Sequence, residues 1–224
     1  MRNIIRDLFN FYFLAACWLV TLPLIVTGKG AHFVTCGSVL KLQNSDINVR
    51  LHSHDVKYGT GSGQQSVTGT DVQEDVNSYW LIKAQTKSNC IRGEPVRCGS
   101  VIRLMHLATN KNLHSHYFSS PLSTNQEVSA YGNNGEGDSG DHWTVVCDGE
   151  SWERDEAIML KHVDTDMYLA VTSQTYGRPI NGQHEIVGVQ WPGSNQVHWK
   201  AMEGLFIHPS DFNFKKRSHD HTEL

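Results

Sequence analysis

One pattern of apolar residues occurs three times in this 224-residue chain, and it limits the available folds more than any other feature of the sequence. The pair Leu40/Leu42 returns 62 residues later as Ile102/Leu104, and 56 residues after that as Ile158/Leu160. The same two shifts carry Leu51 to Leu113 and on to Leu169, while shifts of 63 and 56 carry Trp80 to Trp143 and Trp199. Val67, Val128 and Ile186 correspond with slips of one or two residues. A period this long marks one supersecondary unit that cannot bury its own apolar face. Three such units between residues 33 and 203, with no distinct polar caps at the ends of the array, indicate a closed pseudo-threefold domain rather than an open solenoid.

Within a unit the period is that of strands. Ser100-Val-Ile-Arg-Leu-Met-His-Leu alternates apolar and polar residues, as a half-buried strand does. Asn110-Lys-Asn is a turn, Leu113-His-Ser-His begins a second strand, and a polar stretch from Ser119 to Gln126 leads to a third, Glu127-Val-Ser-Ala-Tyr. The run from Gly132 to Gly140 is a loop of residues that tolerate positive φ, and His142 to Cys147 closes the unit. Four strands per unit, in three units, predict an all-β domain with negligible helix. The threefold register selects a β-trefoil, in which six strands form a barrel and three hairpins cap it.

The ends of the chain carry addresses. Arg2 and Arg6 precede an apolar run from Leu8 to Val26, and small residues follow at Thr27, Gly28 and Gly30. This is the layout of a secretory signal peptide over residues 1–28. The run is also near the roughly 18–20 residues that span a bilayer, so an uncleaved anchor is the competing reading. At the other end, His221-Thr222-Glu223-Leu224 resembles the signal that retrieves soluble proteins to the endoplasmic reticulum. Thr222 lacks the negative charge of the usual Asp, so retrieval is expected to be weaker, with some protein secreted. The two ends together predict a soluble luminal resident with no membrane span after cleavage.

Formal charge is −4, and loss of Arg2, Arg6 and Asp7 with the signal takes it to −5. The only basic cluster is Lys215-Lys216-Arg217, so nucleic-acid or heparin binding, which needs a basic face, is rejected. With Cys17 in the signal, four cysteines remain, an even number suited to two disulfides in an oxidising compartment. No Cys-x-x-Cys occurs, which argues against zinc or thioredoxin-like chemistry. Four cysteines allow three pairings. Cys36 and Cys98 stand at the start of the first strand of units one and two, and Cys90 and Cys147 stand just beyond the last. Antiparallel first and last strands favour Cys36–Cys90 and Cys98–Cys147.

The elements Cys36-Gly-Ser-Val-Leu-Lys-Leu, Arg50-Leu-His-Ser-His, Gln64-Gln-Ser-Val-Thr and Asn77-Ser-Tyr-Trp resemble the MIR repeat, named for protein mannosyltransferases and the inositol-trisphosphate and ryanodine receptors. They recur as Cys98-Gly-Ser-Val-Ile-Arg-Leu, Asn112-Leu-His-Ser-His, Asn125-Gln-Glu-Val-Ser and Asp141-His-Trp. Unit three diverges, with Tyr168-Leu-Ala-Val replacing Leu-His-Ser-His. Three stand-alone repeats, at about 33–92, 93–151 and 152–203, with a signal and a tail at 204–224, resemble the stromal-cell-derived factor 2 family. That resemblance implies a β-trefoil without enzymatic activity or cofactor. It implies a role in the endoplasmic reticulum beside a J-domain co-chaperone and a BiP-type chaperone, with unfolded protein or glycan as a further ligand.

Gly137-Asp-Ser-Gly matches the nucleophile loop of trypsin-like proteases. It continues with Asp141-His142 instead of Gly-Pro, and no Ala-Ala-His-Cys-like segment precedes it. It also aligns with the ordinary loop Asp75-Val-Asn-Ser. The pairs His52/His54 and His114/His116 are the candidate contact for a ligand or partner, because alternate strand residues share a face. The plainer role is that one His of each pair hydrogen-bonds a neighbouring turn. No metal is expected. Trp80, Trp143 and Trp199 read as core or barrel-floor residues because they sit at equivalent strand starts, and none carries the Gln-x-Trp of ricin-type lectins. No N-glycosylation sequon is present. Phe206, Ile207, Phe212 and Phe214 form an apolar tail able to dock on the barrel or on a partner.

Overall fold

A computed structural model describes residues 32–192 and 195–208. The signal segment, Phe212, Phe214, the basic cluster and His221 to Leu224 lie outside the described residues. Twelve strands run β1 (Val39–Asn44), β2 (Arg50–Lys57), β3 (Gln65–Thr70), β4 (Trp80–Ala84), β5 (Val101–His106), β6 (Asn112–Ser119), β7 (Gln126–Tyr131), β8 (Trp143–Val146), β9 (Ala157–His162), β10 (Tyr168–Thr175), β11 (His184–Val189) and β12 (Trp199–Leu205). Helix among the described residues is confined to three short 3₁₀ turns.

Six strands close on themselves. β1 pairs with β4, β4 with β5, β5 with β8, β8 with β9, β9 with β12 and β12 with β1, all antiparallel. The other six form the hairpins β2–β3, β6–β7 and β10–β11. β3, β7 and β11 pair with one another and tie the hairpins into a triangular cap. This is the β-trefoil, and full closure leaves the barrel without an edge strand.

The repeated apolar residues fill it. Leu42, Leu104 and Leu160 are fully buried, as are Leu51, Leu113, Leu169, Val67, Val128 and Ile186. Trp80, Trp143 and Trp199 are buried too, and each indole N–H donates to the carbonyl of Leu51, Leu113 or Leu169, at 2.8, 2.9 and 2.9 Å. Each tryptophan therefore links a barrel strand to the root of its own hairpin. The turns repeat as well: Asn48, Asn110 and Asp166 adopt φ of 63°, 53° and 59°, a region that Asn and Asp enter more readily than most residues.

Trp152 was not anticipated as core, yet it is fully buried. It occupies the position of Val34 and Val96 in the other units. These residues close the barrel floor through a ring of main-chain hydrogen bonds: Val34 N–H to the Trp152 carbonyl (2.9 Å), Trp152 N–H to Val96 (2.8 Å) and Val96 N–H to Val34 (2.9 Å). The tail begins to dock here. Phe206 packs against the core and lies under the Arg154 guanidinium, and Ile207 N–H donates to Ser38 Oγ at 3.1 Å.

Asn44, His106 and His162 are equivalent residues at strand ends, and each holds a loop of its neighbourhood. His106 Nε2 lies 2.8 Å from the Asn77 carbonyl, and His162 Nε2 lies 2.9 Å from that of Gly140. Their rings pack on Trp80 and Trp143. Burial pushes the pKa of His106 down to about 4, and it lowers that of His162 as well. Both groups are depressed, so their contribution is complete above the unfolded pKa of about 6.5 and is lost as pH falls through the folded value. Urea unfolding at pH 7.5 and at pH 4 should differ by about 3 kcal/mol from His106 alone. His106→Asn, which copies the residue of unit one, should flatten that slope. An unchanged slope would show that His106 is not held neutral.

Candidate functional site

The structure pairs Cys36 with Cys90 and Cys98 with Cys147, so each bond clasps the start of one unit's first strand to the region after its last.

The histidine pairs sit at the outer faces of β2 and β6, and the two are not equivalent. In unit one, His52 is buried. Its Nδ1 lies 2.7 Å from Asp75 Oδ2, and its Nε2 lies 2.6 Å from His54 Nδ1. Asp75 also accepts from Ser78 Oγ. The first histidine anchors a turn, which is the plainer role, and the second satisfies the first. Burial, then the neighbouring His52, lowers the pKa of His54.

In unit two, His114 is 4% exposed, and its Nδ1 lies 3.0 Å from Oδ1 of the fully buried Asp141. Asn112 Nδ2 holds the other Asp141 oxygen at 2.9 Å. His116 turns instead to the buried Glu127, with Nε2 3.2 Å from Oε1. The two imidazoles meet edge to face at 5.1 Å with no hydrogen bond between them. Unit three has Ala170 and Thr172 at these positions, and Thr172 Oγ1 donates to the buried Glu185 at 2.8 Å.

The Gly137-Asp-Ser-Gly loop is explained by close packing. A Cβ on Gly137 would fall 1.9 Å from Asp141 Oδ2, and one on Gly140 would fall 2.4 Å from His114 Cε1. Both glycines are therefore required to bring Asp141 against His114. Ser139 lines the same cleft, but no hydrogen bond joins it to His114, which a serine nucleophile and its base would need. His114, Asp138 and Asp141 offer ligand atoms within 4.8 Å of one another. The Oδ1 atoms of Asp138 and Asp141 already engage Gly140 N–H and His114, and we assign no metal to the group.

The cleft beside His114 has a volume of about 360 Å³ and draws on three units: Gln64 from the first, Tyr117, Tyr131 and Asp138 from the second, and Asp164 from the third. Of its lining, only His114 and His116 were candidates from sequence. Tyr131 carries no repeat signal, because its equivalents in the other hairpins are Thr70 and Val189.

A profile of the MIR domain matches residues 42–148. The chain is 56% identical over 205 residues to human stromal cell-derived factor 2-like protein 1, covering 87% of this chain and 92% of that one. The crystal structure of the SDF2-like protein from Arabidopsis thaliana superposes with a TM-score of 0.77 at 41% identity, covering 80% of this chain and 99% of that one. A chain of the S. cerevisiae protein O-mannosyltransferase Pmt1–Pmt2 complex, bound to the sugar donor, matches with a TM-score of 0.72 at 26% identity, covering 80% of this chain and 26% of that one.

Proposed function

This chain belongs to the stromal cell-derived factor 2 family of MIR-domain proteins, and we propose that it is a non-enzymatic adaptor of the endoplasmic-reticulum lumen that supports a J-domain co-chaperone and a BiP-type chaperone. The observation that carries the reading is the build of unit two. A buried Asp141–His114 pair opens onto a surface cleft with no nucleophile bonded to it, in a closed barrel clasped by two disulfides. Such a site binds. The disulfides suit an oxidising compartment, and the signal-like segment 1–28 and His221 to Leu224 supply entry and retrieval.

A second reading is carbohydrate binding in glycoprotein or O-mannosylation quality control, favoured by the likeness to the mannosyltransferase chain. Affinity capture from luminal extract on the immobilised mature chain distinguishes the two. The adaptor reading expects a J-domain protein and a BiP-type chaperone to be retained and to resist elution by free mannose. Release of the bound material by sugar would move the conclusion to the second reading.

A further inference from the structure

The cleft of unit two differs from its counterparts in what it leaves unpaired. A ladder of four rings runs beside it, and the first three line it: Tyr131 lies 4.8 Å from His114, His114 5.1 Å from His116, and His116 4.7 Å from Phe118. Tyr117 reaches from β6 to donate to the Asp164 carbonyl at 3.1 Å, tying unit two to the turn after β9. Tyr117 is 83% exposed and Tyr131 38%, so large aromatic faces stand in water at the mouth.

The carboxylates that line the cleft, Asp138 and Asp164, have no lysine or arginine among the lining residues to oppose them. Asp138 uses Oδ1 to cap the Gly140 N–H at 2.9 Å, and its side chain is 57% exposed. Asp164 is exposed beside it. His114 directs Nδ1 at Asp141, and its Nε2 has no hydrogen-bond partner among the described residues. A neutral imidazole that donates from Nδ1 to a carboxylate presents Nε2 as an acceptor. Gln64 receives Ser129 Oγ on its amide oxygen at 2.5 Å, which leaves its NH₂ as a donor. Unit one offers no such site, because His52 Nε2 is taken by His54, and unit three lacks both rings.

We infer that this cleft receives the side chain of an arginine or lysine carried by an extended segment of a partner polypeptide. A site of acceptors and ring faces is complementary to a group that only donates and carries positive charge. Arginine suits it best, with five donors and a planar face that stacks on aromatic rings. A cation over a tyrosine face is attracted by the negative charge of the ring's π system. The Gln64 amide is placed to meet a backbone carbonyl of the same segment. The inference rests on the adaptor reading in taking the ligand to be polypeptide.

The test titrates the mature chain, observed by NMR at the His and Tyr side chains, with a blocked Gly-Ser-Arg-Ser-Gly peptide and with its Gln counterpart. The Arg peptide should shift His114 and Tyr131 saturably, and the Gln peptide should not. Raising salt from about 50 to 300 mM should weaken the binding, because the charges are partly exposed. Asp138→Asn and Tyr131→Ala should each weaken it roughly threefold or more, while Trp191→Ala, at an exposed residue outside the cleft lining, should leave it unchanged. Equal binding of the two peptides, or indifference to both cleft variants, overturns the inference. So does a saturable shift of the same resonances by methyl mannoside when the Arg peptide gives none. Failure here with the J-domain protein still captured refutes the cleft assignment alone. Peptide binding without that capture refutes the adaptor reading.

Discussion

Trp143→Ala is expected to cost about 3–5 kcal/mol. The indole is fully buried, touches the His162 ring at a centroid distance of 4.9 Å, and donates to the Leu113 carbonyl at 2.9 Å. Its removal leaves a cavity at a junction between barrel and hairpin, and it orphans a buried carbonyl as well. Trp143→Phe retains most of the apolar volume and forfeits the hydrogen bond, so its cost should be nearer 1–3 kcal/mol, the penalty of one unsatisfied buried group. Trp191, 77% exposed, is the internal contrast, and Trp191→Ala should fall within about 0.5 kcal/mol of the parent. Urea unfolding followed by far-ultraviolet circular dichroism reads all three. A loss below about 1 kcal/mol for Trp143→Ala would remove the tryptophan layer from the core.

The disulfides should carry a comparable load. They join residues 54 and 49 positions apart, and in the chain-entropy account a loop of that size is worth about 4 kcal/mol. Two double variants, Cys36→Ala with Cys90→Ala and Cys98→Ala with Cys147→Ala, should therefore lose similar amounts. Denaturation midpoints under non-reducing conditions give the comparison. Because the loops are nearly equal in length, a large difference between the variants would have to arise in the folded state. Cys36 is the most deeply buried of the four, so an excess loss is expected on that side. Losses under about 1 kcal/mol for both would show that the barrel closes without its clasps.

The barrel was legible because its inward residues keep their type. Leu42, Leu104 and Leu160 share one environment, so one spacing exposes all three. Trp152 followed the same spacing and went unrecognised, since its equivalents are Val34 and Val96, and a floor built from one large and two smaller residues has no common letter. The histidine pairs were visible for a local reason, the two-residue alternation of a strand. What separates the pairs is not local. His52 and His54 close on each other, while His116 is drawn off by Glu127 from the next strand, a buried acid whose counterpart in unit one is Ser66. The cleft's other walls, Tyr131, Asp138 and Asp164, come together only when the hairpins assemble around the threefold axis.

The ring that seals the barrel floor makes the order of synthesis and the order of folding run in opposite directions. Val34 has no acceptor until Trp152 has been made, and β1 has only β2 and β4 beside it until β12 arrives. Contacts this distant along the chain are paid for in loop entropy before they return anything, so they form late and slowly. A nascent chain carrying one or two complete units therefore emerges with its leucine faces open and nowhere to place them. The barrel of this protein can close only once β12 has been made, and until then the chain resembles an unfinished client of folding machinery.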